Sequence, residues 1–181
     1  MERTLSPIHN YRIEIYKDEE KTKPVKDYES KDGYAIIRAG NWYIFGKTTV
    51  QSYGESTVHA YDKSRVWAYN HSVIYSYNQT KVEAEDRTKV FAFNESSVTA
   101  TMYSKVNAND DTNVFANGFS KITAVGNSTV YAYDDCFVYA DEKCSVECFD
   151  DVKVCANGFS RIWAEGNSCV WNRDESKIIY C

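Results

Sequence analysis

Val or Ile recurs every eight residues from Val50 to Ile178, at all seventeen positions of that frame, with no insertion or slip. Two residues before each, fourteen of the seventeen are Ser or Thr, the exceptions being Cys136, Cys144 and Val152. Two residues after each, twelve are Ala. Four residues after, fourteen of sixteen are Gly, Asn or Asp; Met102 and Glu142 break the rule. Ser, Val and Ala at i, i+2 and i+4 share one face of a β-strand. A β-branched centre favours a strand over a helix. The Gly/Asn/Asp column marks a bend where positive φ is cheap. Each unit therefore reads as a strand of about five residues followed by a corner of about three. A helix is excluded, because a spacing of eight does not keep residues on one helical face.

Short strands with fixed corners predict a solenoid. The expected fold is all-β: a two-sheeted parallel β-solenoid (β-helix), 16 residues per coil, about eight coils, with an N-terminal cap. The inward side chains are small, so the two sheets must lie closer than the ~10 Å of ordinary stacked sheets. Each inward hydroxyl needs a partner, either a neighbouring hydroxyl or a corner backbone group. The competing arrangement is an antiparallel meander, which would leave one apolar face of a very wide sheet uncovered. A longer period supports two interchangeable sheets. Residues 110–134 (DDTNVFANGFSKITAVGNSTVYAYD) recur at 150–174 (DDVKVCANGFSRIWAEGNSCVWNRD), a shift of 40. That is five units, an odd number, so the copy falls on the opposite sheet.

Upstream the frame fades. Trp42 and Ile44, then Tyr34 and Ile36, are expected in the inward slots, with an alternating strand at 11–16 and a charged loop at 17–32. Residues 1–46 are read as an N-terminal capping segment, and 47–181 as the β-solenoid of octapeptide repeats. A cap is needed because the first coil otherwise offers an open row of backbone donors and acceptors. Beyond Ile178 no cap is legible. Asn172 and Tyr180 replace inward alanines, and an end-to-end homodimer through the C-terminal coils is expected there.

The chain has 181 residues and a formal net charge of −5, so bulk charge recruits no nucleic acid. Aromatics make up 15 % and there are only 2 prolines, against disorder. No run of about 18 apolar residues and no signal sequence is present, so a bacterial cytoplasmic protein without membrane contact is expected. The 6 cysteines cluster between Cys136 and Cys181, unlike a framework for a secreted domain. They read as reduced thiols, with Cys136, Cys144 and Cys148 inward as small apolar residues.

The motif S-x-V-x-A-Y-D in ESTVHAYD (55–62), KSRVWAYN (63–70) and NSTVYAYD (127–134) resembles the octapeptide unit of bacterial ice-nucleation proteins. The similarity covers about residues 48–181. It implies the fold, a two-sheet β-solenoid with stacked corner tyrosines, and a tendency to associate end to end. It does not imply ice binding: that family presents Thr on both sides of the central residue, and no unit here does.

Function must therefore sit on outward side chains. One column holds Lys89, Lys105, Lys121 and Lys153, interrupted by Phe137. Stacked lysines repel one another and call for an anionic partner or free solvent. Trp67, Tyr75 and Phe91 are outward aromatics on the flat faces, and Trp163 and Trp171 form a similar pair near the far end. Aromatics of this kind are favoured as binding anchors. Carboxylates collect at corners: Glu83 and Glu85 with Asp86, Asp110–Asp111, Asp134–Asp135 and Asp150–Asp151. Regularly spaced, they could imitate a phosphate backbone; the plainer reading is that Asp is a good corner residue. No catalytic constellation, cofactor motif or metal set is legible.

The expected function is a non-catalytic protein-binding or blocking module. Its specific form is a phage or mobile-element inhibitor of a host nucleic-acid-handling defence enzyme, acting as an anti-CRISPR does. The alternative is a structural rod, a virion or adhesin component. Direct nucleic-acid binding is less favoured, and ice binding is not expected.

Overall fold

The structure is a computed structural model that describes residues 13–25, 29–31 and 34–180. Among these residues every element is a strand. From Tyr34 onward the chain winds as a parallel β-solenoid of about nine coils of about 16 residues, against the eight expected. The two sheets are fed alternately. Val50, Val66, Val82, Val98 and Val114 are vertical neighbours in the first sheet. Val58, Ile74, Val90, Val106 and Ile122 are vertical neighbours in the second. From Val50 onward every pairing is parallel at a step of 16, which a meander cannot produce.

The inward columns are dry up to the last coil, where Asn172 and Tyr180, expected inward in place of alanines, stand exposed at the open end. Val66, Val90, Val98, Val114 and Val130 are all 0 % exposed, as are Ala68, Ala92 and Ala100 between them. The inward hydroxyls take the corner carbonyl three residues back. Ser72 Oγ donates to Tyr69 O at 2.7 Å, Ser96 Oγ to Phe93 O at 2.7 Å, and Ser120 Oγ to Asn117 O at 2.9 Å. Each hydroxyl thus closes its own corner while filling the seam, so the Ser/Thr column is both a packing and a turn residue. Ser76 sits in an alanine slot instead, and its buried hydroxyl has no partner.

All sixteen bend residues have positive φ, including the two that break the Gly/Asn/Asp rule, Met102 (58°) and Glu142 (61°). The corner backbone also bonds from coil to coil, as in Arg87 N–H to Asn70 O at 3.0 Å and Tyr103 N–H to Asp86 O at 3.0 Å. Gly158 packs against the backbone below: a Cβ there would come within 2.8 Å of Glu142 N.

The stacked coils begin upstream of the clear repeat. Strand β3 (Tyr34–Phe45) lies parallel beneath β4 (Thr49–Ala60), and both run through a corner without a break. The register shifts between Ile37 and Ala39: Ala35 pairs with Val50, whereas Trp42 pairs with Val58. That one-residue slip puts Ala35 and Ile37 inside, in place of the expected Tyr34 and Ile36. On the other edge of β3, β1 (Glu14–Tyr16) and β2 (Glu29–Lys31) pair antiparallel. Lys17 Nζ lies 3.2 Å from the Trp42 ring centroid, covering that half-buried side chain.

Two substitutions separate bend strain from bend packing. Glu142→Gly is expected to stabilise the fold by about 1 kcal/mol, because an L-residue at positive φ costs about 1–2 kcal/mol. Gly158→Ala, one coil later in the same column, is expected to destabilise by at least about 1 kcal/mol. Urea midpoints check both; equal midpoints for the two variants would contradict the corner geometry.

Candidate binding edge

The corner that carries the chain from the first sheet to the second brings together three columns. The bend residue is followed by an exposed residue, then by the inward hydroxyl, then by the outward residue that precedes the branched centre of the second sheet. The exposed corner column reads His71, Arg87, Tyr103, Phe119, Asp135 and Asp151 along the rod. The neighbouring strand column reads Lys89, Lys105, Lys121, Phe137 and Lys153. The predicted lysine column is therefore real, and its interruption by Phe137 is too.

The structure adds what stands beside it. His71, Arg87, Lys89, Tyr103, Lys105, Phe119 and Lys121 line an open groove of about 410 Å³. The Tyr103 and Phe119 rings stack 5.3 Å apart at 10°. They are 59 % and 52 % exposed; Met102 (52 %) is the bend residue next to Tyr103, and Phe137 (40 %) follows Lys121 in the strand column one coil on. No ion pair neutralises Arg87, Lys89, Lys105 or Lys121 among the described residues. A chain of net negative charge thus keeps four unpaired cations around a stacked aromatic pair. Arg87, Tyr103 and Phe119 were missed because they share no residue type; only a stride of 16 aligns them.

Other predicted site residues are scattered. Trp67 lies in the first sheet, between Gln51 and Glu83, and meets Tyr34 edge-on at 5.5 Å. Tyr75 and Phe91 lie in the second sheet, in a continuous stack Tyr43–His59–Tyr75–Phe91 with centroids 4.6, 4.8 and 4.9 Å apart. All are half-buried in these ladders, so they are structural neighbours before they are anchors. Trp163 and Trp171 do not form a pair. Eight residues is half a coil, which puts Trp163 in the first sheet and Trp171 in the second.

The acidic candidates divide likewise. Asp134, Asp135, Asp150 and Asp151 share the edge of the lysine groove, two coils that follow it toward the C-terminus. Asp110 and Asp111 lie on the opposite edge, Glu83 points from the first sheet, and Glu85 stands at the corner next to Asp86. Several of the bend carboxylates are occupied by the fold. Asp134 accepts the Gly118 N–H at 3.0 Å, Asp110 the Asn94 N–H at 3.1 Å, and Asp86 the Asn70 N–H at 3.2 Å. Asp at a bend is thus a tie to the coil below as well as a turn former.

The thiols of Cys136 and Cys144 are buried, and burial pushes both up to about 11, away from reactivity. Among the described residues no group of three or more His, Cys, Asp or Glu gathers as a metal site. No protein-family model, curated protein or solved structure matches this chain.

His59, in the ring stack of the second sheet, gives the fold a pH test. Burial in the ring stack pushes it below its usual 6.5, with Glu19 pulling weakly the other way. The folded state thus binds the proton less tightly than the unfolded chain, so stability is full above pH 6.5 and falls as the pH drops below it. The thermal midpoint of the wild type is expected to fall on acidification through that window. His59→Phe, which keeps the stack, is expected to lose that component; an unchanged profile would contradict the assignment.

Proposed function

We propose that this chain is a non-catalytic binding module that docks a protein partner on the corner edge carrying Met102, Tyr103, Phe119 and Phe137. One observation carries the reading. Of the nine large hydrophobic side chains that stand exposed among the described residues, these four are contiguous on one edge. Charged side chains flank them along the rod, cations on one side and carboxylates on the other. An apolar centre within a charged rim is the anatomy of a protein interface, and stacked aromatics held by the fold lose little entropy on binding. The rigidity of the rod supports the same reading, since the edge is presented without rearrangement.

A second reading is favoured by Asp135 and Asp151, which stand on adjacent coils of the same edge with no hydrogen bond to the fold. Such a carboxylate run suits the basic channel of a nucleic-acid enzyme, and so an inhibitor of phage or mobile-element origin. The likeness to the ice-nucleation octapeptide supports the architecture alone, because no strand presents threonine at both outward positions.

Affinity capture with edge variants tests the reading. Partner recovery is expected to fall at least about tenfold for Y103A/F119A, as removal of central aromatic anchors costs roughly 2 kcal/mol or more. Phe159→Ala, on the opposite edge and 61 % exposed, is expected to leave it unchanged. Recovery that ignores Y103A/F119A would overturn the assignment of the edge. A nucleic-acid enzyme lost specifically by D135K/D151K would favour the second reading.

A further inference from the structure

The corner edge is bipolar along the rod, and its two halves complement each other. The three coils from Arg87 to Lys121 carry Arg87, Lys89, Lys105 and Lys121 against Asp86, which is engaged with Asn70 N–H, while Glu55 stands two coils earlier in the same corner column. The half that follows carries Asp134, Asp135, Asp150 and Asp151 against a single cation, Lys153. Glu85 and Glu165 lie one column further round, toward the first sheet. The exposed Tyr103–Phe119 stack and Phe137 sit at the junction of the halves.

We infer that this edge pairs with the same edge of a second copy, side by side and antiparallel, so that each basic half faces the partner's acidic half. The inference rests on the reading of this edge as a binding surface and names its partner. A parallel pair would set like charges opposite each other, coil against coil. Only the antiparallel arrangement, with a two-fold axis across the rod near Phe119, joins unlike halves and covers the exposed rings from both copies. The cationic stretch itself covers three coils, about 10 Å at the strand spacing. An extended nucleic-acid strand would leave it within two phosphates and meet Asp134 and Asp135. A second copy sets coils of net opposite charge against each other on either side of the axis, with Arg87 opposite the partner's Asp151.

Sedimentation equilibrium of the full chain tests this. The wild type is expected to dimerise at low salt, and dimerisation should weaken at least about tenfold between about 0.05 and about 0.5 M salt, as charge pairing is screened. K105E/K121E reverses two of the four cations of the basic half and leaves the edge net acidic, and D135K/D151K reverses two of the four carboxylates of the other half and leaves it net basic; neither pair touches a hydrogen bond of the fold. Each variant alone is expected to be monomeric, and an equimolar mixture to form a 1:1 heterodimer. That rescue also shows that both variants fold. A wild type that stays monomeric at low salt, or a mixture that fails to associate, overturns the inference. A monomer that takes up a polyglutamate peptide in the groove would likewise replace the second copy by an acidic ligand. If the wild type is monomeric yet Y103A/F119A still abolishes capture of another protein, only the self-pairing falls and the binding edge stands.

Discussion

The structure depends on the dry seam between its two sheets. Small inward side chains fill that seam, and a filled seam leaves no room for a residue of different size or a coil of different length. One inserted residue would turn every following side chain to the wrong face. The seventeen-fold frame without a slip is the direct result. Where the frame does slip, between Ile37 and Ala39, the chain is at its first coil, with only the antiparallel strands β1 and β2 on its outer side.

The seam also explains the chemistry of the corners. Hydroxyls at the seam's margin tie each turn to itself, and bend carboxylates tie each turn to the one below. Polar residues that look like surface decoration are thus consumed by construction. What remains for function is whatever the corners and outward columns do not use. On one edge that remainder is unusually rich: unpaired cations, exposed stacked rings, and carboxylates free of the fold.

The architecture was legible from residue types alone, because each inward column repeats one kind of side chain. The register of the first coil was not, since a bulge leaves no signature when the large residues Tyr34 and Ile36 suit either face. The lysine column was legible for the same reason as the core. Its setting was not: His71, Arg87, Tyr103 and Phe119 differ in type, and a stride of eight mixes the two edges. The same mixing made Trp163 and Trp171 look like a pair and made Asp110 look like a neighbour of Asp134. Octapeptide periodicity reports the strand, but the sixteen-residue circuit decides which surface a residue joins.

Thr57 and Lys153 occupy one outward column, six coils apart by successive pairings. Spin labels at these two positions measure the circuit by dipolar spectroscopy. At a strand spacing of about 4.8 Å, stacked sixteen-residue coils place them about 29 Å apart. A distance near about 58 Å, the span of twelve strands side by side in one sheet, would contradict the two-sheeted coil.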